Sequence, residues 1–294
     1  MIPAGRPVMP LHNPLPIGDR EFTLLRDWIH KNSGIFLNDS KRALLVRRLS
    51  ARLKALEVPD FKAYYRELCR RGPEETRALL DAITTHETSF FREPRQFEYL
   101  SREVFPRWSA AAERGERPKR VRAWSAACAT GEEAYSLAAA LLEALPPAAG
   151  WRLEIFATDL STRILERARE GVWPAEKTAT IPPTVLKRYF LRGRNASLGK
   201  VKAGRELRSL LTFERFNLAA ETYPPLGTFD LVLCRNVLIY FDAATRSRVV
   251  ARLLDHLQPD GFLLLGHAEN LAGLGHRARP VIPTVYRPTT GGGP

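Results

Sequence analysis

VRAWSAACATGEEAYS, residues 121–136, decides how this chain is read. Val121, Ala123 and Trp124 close a short apolar strand behind the basic pair Lys119 and Arg120. Ala127, Ala129 and Gly131 keep the next turn free of bulk. Glu132 and Glu133 stand in a first helical turn, where carboxylates favour the exposed backbone N–H groups. Tyr135, Leu137, Leu141, Leu142 and Leu145 continue at helical spacing. A strand, a tight turn and a helix in this order open a ligand crevice at a strand's carboxyl end in an α/β sheet. The turn lacks GxxxxGK[ST], so it is not a P-loop, and with one glycine it is not GxGxxG. Its acidic helix start repels a phosphate and suits a ligand carrying a cationic amine. An ordinary strand-to-helix connection with chance carboxylates is the alternative.

Downstream the alternation repeats. Leu153 to Ala157 is a strand ending at Thr158 and Asp159, and Ser161 caps a helix over 162–170. An acid at the tip of a second strand is where a nucleotide ribose is usually held; a plain cap carboxylate is the alternative. Ile181 to Phe190 reads as a helix. Leu191 to Phe213, punctuated by Gly193, Asn195, Gly199 and Gly204, reads as a small antiparallel insert. Phe216, Asn217 and Leu218 end the next strand. FDLVLC, 229–234, is the clearest central strand, with Arg235 and Asn236 just past it and Tyr240 near the same crevice. A helix over 246–257, a turn at Pro259, Asp260 and Gly261, and a strand over 262–265 follow. Thr284 to Tyr286 is expected as a last edge strand, and TTGGGP as a disordered tail.

Upstream, Glu21 to Gly34, Lys41 to Leu56, Asp60 to Cys69 and Pro73 to Ile83 read as helices of a small N-terminal domain. The second carries Lys41, Arg42, Arg47, Arg48, Arg52 and Lys54 and no acid, which makes it either a solvated basic face or a docking surface. In TTHETSFFRE, 84–93, Thr85 or Thr88 is expected to cap a helix through Phe90, Phe91, Phe97 and Leu100, so that Thr88 and Arg92 share a face.

The chain has 294 residues, room for one large domain or two modest ones. No apolar run approaches the ~20 residues of a membrane span. MIPAGRPVMPLHNPLP has no signal-peptide core and reads as an irregular lead-in. Cys69, Cys128 and Cys234 are far apart and odd in number, which argues against a disulfide framework or zinc site and makes the cytoplasm the default location. The net charge of +13 favours acidic partners without choosing between nucleic acid, membrane and protein.

THETSFFRE, WSAACATGEEAYS, FATDLS, FNL, FDLVLCRNVLIYFD and LQPDGFLLLGHAEN, in this order and spacing, closely resemble the chemotaxis receptor methyltransferases, the CheR family. These enzymes methylate glutamate side chains with S-adenosylmethionine, leaving S-adenosylhomocysteine. The resemblance runs from Asp19 to Tyr286. It implies an α/β, Rossmann-like methyltransferase domain over 121–287 with an antiparallel β-subdomain inserted at 191–213. A helical N-terminal domain over 19–95 and a connecting helix and linker over 96–120 would precede it, with a lead-in over 1–18 and a tail over 288–294.

Carried over by motif, Thr88 and Arg92 would meet the methionine carboxylate of the cofactor, Glu133 its amino group and Asp159 its ribose. Asn217 and Leu218 would flank the adenine, Cys234 and Arg235 would line the pocket, and Tyr240 with Arg92 would position the substrate carboxylate. His86 stands where the family often has asparagine in contact with the cofactor, and it can charge. Ala127 and Ala129 replace a common glycine and serine, and Ala134 a proline; alanine is small enough for the turn to survive. A glutamate carboxylate is already a nucleophile and a sulfonium methyl is activated, so positioning and desolvation suffice without a metal or a strong base.

The implied partner is a helical, glutamate-rich cytoplasmic receptor segment, met by Lys41, Arg47, Arg48 and Arg52. Some members hold a receptor C-terminal tail by strand addition on the β-subdomain, and the loop GRNASLG here has the length seen in those members. A monomer that neither binds nucleic acid nor inserts in a membrane is expected. A nucleic-acid methyltransferase is the rival, but Arg235, Asn236, Val237 and Leu238 stand where an Asp/Asn-Pro-Pro-Tyr/Phe motif would be, and no aromatic–basic platform is present. A binding-only regulator is the other rival, opposed by intact Arg92, Glu133, Asp159 and Tyr240.

Overall fold

The computed structural model describes residues 16–271, 273 and 277–289. Most of the expected lead-in (1–15) and most of the expected tail (290–294) lie outside them. The chain divides after Thr84 into two compact units.

The first unit is helical. Its helix α1 (Asp19–Ser33) buries Phe22, Leu25 and Ile29, which recur every three or four residues, and stops at Gly34, whose left-handed φ of 73° lets its N–H close on His30. Helix α2 (Arg42–Ala55) buries Leu45, Val46, Leu49 and Leu53. Helix α3 (Phe61–Arg71) is capped by the Asp60 carboxylate, which accepts the Ala63 N–H at 2.7 Å. Helix α4 (Pro73–Ile83) opens on a proline, with Glu74 and Glu75 in its first turn.

The basic face of α2 is only partly a free face. Lys41 and Arg47 are exposed and Arg48 is half-buried. Arg52, expected with them as a docking residue, instead forks onto Glu75 of α4, Nε to Oε1 at 3.0 Å and Nη2 to Oε2 at 2.5 Å. Glu75 is 2% exposed and also accepts the Tyr64 hydroxyl at 2.9 Å. A buried carboxylate requires such partners, so Arg52 is committed to the interior of the unit.

Residues 84–93 form no helix, contrary to the expectation, and from Thr85 on they belong to the second unit. Phe91 and Glu93 are left-handed (φ 49° and 60°), and Pro94 disfavours a helical residue before it. Phe90 is fully buried, edge-on to Trp173 and Phe190 at 4.9 and 5.6 Å between ring centres. Helical order begins at α5 (Pro94–Tyr99) and runs through one π-turn (Leu100–Val104) into α6 (Phe105–Glu113). Thr88 and Arg92 therefore share no helix face. The break after Thr84 leaves nearly all of the segment in the second unit, where Phe90 and Phe97 join the hydrophobic core.

The alternation then runs β1 (Arg120–Ala126), α7 (Glu132–Ala144), β2 (Arg152–Asp159), α8 (Thr162–Glu170), β3 (Val172–Pro174), α9 (Pro183–Tyr189), β4 (Phe190–Arg192), β5 (Lys200–Ala203), α10 (Arg205–Arg208), β6 (Leu211–Arg215), β7 (Phe229–Cys234), α11 (Ala243–Asp255), β8 (Leu257–Leu265), β9 (Ala278–Ile282) and β10 (Val285–Pro288). The main sheet has the order β6-β2-β1-β7-β8-β10-β9. The strands from β6 to β8 are parallel, and β10 pairs antiparallel with both β8 and β9. Chain order moves outward from β1 through β2 to β6 on one side and from β7 to β8 on the other, so the switch point lies between β1 and β7. The mixed sheet matches the expected α/β class. Helix α7 is buried from Glu132 to Leu142, and its alanines let it lie close against the sheet.

Three local expectations are corrected. The antiparallel sheet β3-β5-β4 begins at Val172 and closes at Ala203, whereas 211–215 is the edge of the main sheet, paired in parallel with β2, with Phe213 buried against Tyr135. Pro259, Asp260 and Gly261 do not turn the chain. They bulge inside β8, where Leu257 faces Phe229 and Phe262 faces Leu231, so three extra residues sit opposite Asp230. The strand starting at Val285 is not an edge, because β9 covers it, and the Thr289 N–H still bonds Arg277 at 3.0 Å, so the start of the expected tail is in the sheet.

Candidate cofactor site and active site

The carboxyl ends of β1, β2 and β7 deliver the candidate residues to one place. After β1 the chain makes a turn in which Ala127, Ala129 and Gly131 all have positive φ (70°, 49° and 96°). Asp159, at the end of β2, closes this turn: its Oδ2 accepts the Ala129 N–H at 3.0 Å and its Oδ1 the Ser161 N–H at 3.0 Å. The Cys128 N–H bonds the Thr158 carbonyl at 2.7 Å. Trp124 is fully buried behind the turn and donates its indole N–H to Thr158 at 2.9 Å.

Both carboxylates of the helix start are buried and paired. Glu132 accepts the Thr130 hydroxyl at 2.6 Å and Lys177 Nζ at 3.1 Å. Glu133 accepts the Ser125 hydroxyl on Oε1 at 2.6 Å and Arg235 Nε on Oε2 at 2.7 Å. A carboxylate offers about four lone-pair sites, so neither pairing saturates Glu133.

Arg235 is the hub of the site. It extends from the end of β7 and is 2% exposed, with its guanidinium 5.5 Å over the Phe97 ring. Nη1 donates to the Arg92 carbonyl at 2.6 Å and to Gln96 Oε1 at 3.0 Å. One side chain thus joins β7, α7 and the segment before α5. Cys234 precedes it, fully buried, and burial pushes its thiol well above the ordinary range, so it presents no thiolate.

The segment over 84–93 is anchored by the Phe91 N–H on Ser136 Oγ at 2.9 Å and by the Thr180 hydroxyl on the Phe90 carbonyl at 2.7 Å. His86, Thr88 and Arg92 on it are half-buried, and Arg92 Nη1 donates to the Glu87 carbonyl at 3.1 Å. Past the end of β6, Asn217 turns back on the Ala219 N–H at 3.0 Å, and Leu218 is buried, its carbonyl accepting the Tyr223 hydroxyl at 2.6 Å. Tyr240, half-buried, ends the short turn Leu238–Tyr240.

The reading of the sequence gave Glu269 no role, although it lies within LQPDGFLLLGHAEN. Its buried carboxylate accepts four main-chain N–H groups: Asn236 at 2.9 Å, Val237 at 2.8 Å, Leu238 at 2.7 Å and Gly266 at 2.7 Å. It fixes the turn that leads from Arg235 to Tyr240, in which Asn236 is held at φ 58°. An acid two residues beyond the Gly266–His267 strand end was the only signal in the sequence. Among the described residues no helix is long and apolar enough to cross a membrane, and no cluster has the make-up of a metal site.

Residues 86–286 match the family model described as CheR methyltransferase, SAM binding domain, and residues 20–84 match CheR methyltransferase, all-alpha domain. The chain is similar to chemotaxis protein methyltransferase 2 of Pseudomonas aeruginosa, 38% identical over 292 residues, which are 95% of this chain and 100% of that one. It is also similar to the chemotaxis protein methyltransferase of Salmonella typhimurium, 39% identical over 88% of this chain and 87% of that one, and to that of Escherichia coli, 37% identical over 92% of each. The crevice over β1, β2 and β7 lies within the first match, and the chain belongs to the CheR methyltransferase family, with a helical domain followed by an S-adenosylmethionine-binding methyltransferase domain.

Proposed function

We propose that this protein transfers the methyl group of S-adenosylmethionine to glutamate side chains in the cytoplasmic helices of chemoreceptors, giving glutamate methyl esters, and that it acts in the cytoplasm. The observation that carries the reading is the pair of buried acids beside the switch point, Glu133 in the first turn of the helix that follows β1 and Asp159 at the end of the adjacent strand β2. One faces a cation's chemistry, already exercised by Arg235, and the other sits at the ribose position of an α/β nucleotide site. The turn between β1 and α7 carries the small uncharged residues Ala127, Ala129 and Gly131, and Asp159 holds it through the Ala129 N–H.

In this reading Glu133 takes the α-amino group, Thr88 and Arg92 the carboxylate, Asp159 the ribose hydroxyls, and Asn217 and Leu218 the adenine edge and face. His86 borders the same end, and the main chain at Cys234 and Arg235 lines the pocket. Bound S-adenosylmethionine supplies an electrophilic methyl on a sulfonium. Tyr240 and Arg92 orient the incoming carboxylate, holding one oxygen and leaving the other aligned for attack. A single hydroxyl contact and a half-buried guanidinium orient that nucleophile without quenching it.

The exposed cations Lys41 and Arg47, with Arg48 beside them, suit an acidic receptor helix and steer its approach. Strand β4 is an edge of the small sheet and carries Leu191, 61% exposed, and the loop beyond it carries Leu198, 80% exposed. An open edge with apolar side chains suits strand addition by a receptor tail.

The test is methyl transfer from labelled S-adenosylmethionine to receptor cytoplasmic fragments, read as base-labile methanol. Label in glutamate that disappears in Arg92→Ala supports reaction and site together. Tight cofactor binding with no label in any receptor fragment refutes the substrate and leaves the fold.

A further inference from the structure

Around Arg235 the buried charges do not cancel. Glu133 and Glu93 each bring one formal negative charge, and Arg235 brings one positive charge. Of the neighbouring charged groups, Glu132 is paired with Lys177, Asp159 and Glu269 accept main-chain N–H groups, and the Arg92 guanidinium donates to a main-chain carbonyl. Arg235 spends Nε on Glu133 and Nη1 on Arg92 and Gln96. Glu93 receives less. Its Oε1 accepts the His267 N–H at 3.0 Å. Its Oε2 lies 4.0 Å from Arg235 Nη1, beyond hydrogen-bond reach, and has no hydrogen-bond partner among the described residues. The side chain is 6% exposed, so bulk water has little access to it, and a carboxylate oxygen in such a place is costly without a partner.

The backbone adds a second observation. Glu93 is held at φ 60°, ψ 64°, a left-handed conformation that glutamate seldom adopts. Strain and an orphaned buried acceptor on one residue beside a ligand crevice are the marks of a position kept for what it does when the ligand arrives.

We propose that Glu93 is a positioning residue for the α-ammonium group of the cofactor, acting through Arg235. The proposal rests on the reading of Glu133 as the amino partner. An ammonium arriving at Glu133 Oε2 meets an oxygen already held by Arg235 Nε. With Glu133 alone, two cations would share the single negative charge of one carboxylate. Glu93 supplies the second: as the ammonium takes Glu133, the guanidinium shifts so that Nη1 exchanges its longer bond, to Gln96 at 3.0 Å, for the Glu93 Oε2 that now stands 4.0 Å away. Two buried carboxylates then face two cations, and the charge left over in the ligand-free site is cancelled by the ligand itself. Glu93 thereby tunes the pocket to ligands bearing an amino group.

The experiment is calorimetric titration of the full chain with S-adenosylhomocysteine and with its deamino analogue, which keeps the carboxylate and lacks only the α-amino group. Glu93→Gln preserves the size of the side chain and the acceptor for His267, and removes the charge. It is expected to weaken S-adenosylhomocysteine about tenfold, the scale of one charge-assisted hydrogen bond, and to leave the deamino analogue within about twofold of wild type. Glu133→Gln is expected to show the same selectivity, and the double variant to lose no more than Glu133→Gln alone. Glu93→Asp, with the charge retracted by one methylene, is expected to show a smaller loss of the same selectivity. Wild-type affinity in both Glu93 variants, with Glu133→Gln still selective, overturns the inference and leaves the reading of Glu133 intact. Equal weakening of both ligands by Glu93→Gln assigns the residue to the fold alone and overturns it too. No selectivity in Glu133→Gln removes the reading and the inference with it.

Discussion

Arg52 and Glu75 form a two-point ion pair across α2 and α4, with Nε–Oε1 at 3.0 Å and Nη2–Oε2 at 2.5 Å, and Tyr64 binds the same carboxylate. Glu75 pushes both partners up: its hydrogen bond is the leading cause of the raised Arg52 pKa, and together with the larger effect of burial it raises the Tyr64 hydroxyl. Removing one partner of such a pair strands a buried charge and costs about 3 kcal/mol. Arg52→Ala is expected to lower the unfolding free energy of the helical unit by that amount in a urea titration. Lys41→Ala and Arg47→Ala, on exposed positions, should leave it within about 0.5 kcal/mol. In methylation of a receptor fragment the order reverses: the two surface variants should slow the rate at low salt and converge on wild type at high salt. A salt-sensitive rate with an unchanged midpoint in Arg52→Ala would return that residue to the docking face.

Glu269 is the residue whose loss should be felt at Tyr240. Glutamine offers one carbonyl oxygen where the carboxylate offers two, and its amide N–H₂ would face main-chain N–H groups that now have an acceptor. Each N–H left without a partner costs about 1–3 kcal/mol, so the turn 235–238 should relax. Glu269→Gln is expected to lower kcat for methyl transfer by at least about tenfold, with a smaller change in cofactor affinity, because Arg235 keeps its own partners. Loss of affinity with kcat unchanged would place the role of Glu269 at the cofactor instead.

How much of this was legible in the sequence depended on distance along the chain. The strand, turn and helix over 121–136 could be read because its signals are local: apolar strand residues, small turn residues, and carboxylates where a helix begins. Residues 84–93 misled because Phe90, Phe91, Phe97 and Leu100 imitate a helical period, while the backbone at Phe91 and Glu93 is left-handed and carries Phe90 into a distant aromatic cluster. The basic run of α2 likewise gave no hint that Arg52 meets an acid 23 residues later. Arg235 and Glu133 were both singled out, but their pairing spans 102 residues and no spacing rule reaches that far. Glu269 was passed over for the same reason, since its four partners belong to a turn more than 25 residues upstream and to the end of β8.

Ala127 and Ala129 occupy a conformation that suits glycine. Their φ values of 70° and 49° cost an alanine about 1 kcal/mol each relative to glycine, partly offset by the greater freedom glycine has when unfolded. Ala127→Gly is therefore expected to stabilise the methyltransferase domain by about 0.5 kcal/mol in denaturant unfolding. Gly131→Ala should do the opposite. At φ 96° an added Cβ would stand 3.2 Å from Ala168 Cβ and from the Tyr135 ring, both packed in the core. A loss of stability in Ala127→Gly would mean that the turn's rigidity, and not its strain, sets the balance.

Asp230 gives the domain a pH dependence whose sign follows from burial. Its carboxyl is pushed above its ordinary value of 3.8, first by desolvation and further by the nearby Asp260, and this outweighs the Arg122 N–H at 2.8 Å and Arg117 Nη2 at 2.9 Å. Arg117 compensates weakly because its Nε and Nη1 are buried without hydrogen-bond partners and its guanidinium lies over Trp108. A carboxyl with a raised folded-state pKa adds stability that is complete below the unfolded pKa, about 3.9, and is lost as pH rises through the folded value. Asp230→Asn cannot titrate, and any rearrangement around its amide is the same at every pH. The stability of wild type relative to Asp230→Asn should therefore fall as pH rises above about 4 and then level off, measured as urea midpoints of the two proteins at matched pH values. A relative stability that climbs with pH over the same range would mean that Arg117 and the Arg122 N–H dominate over burial.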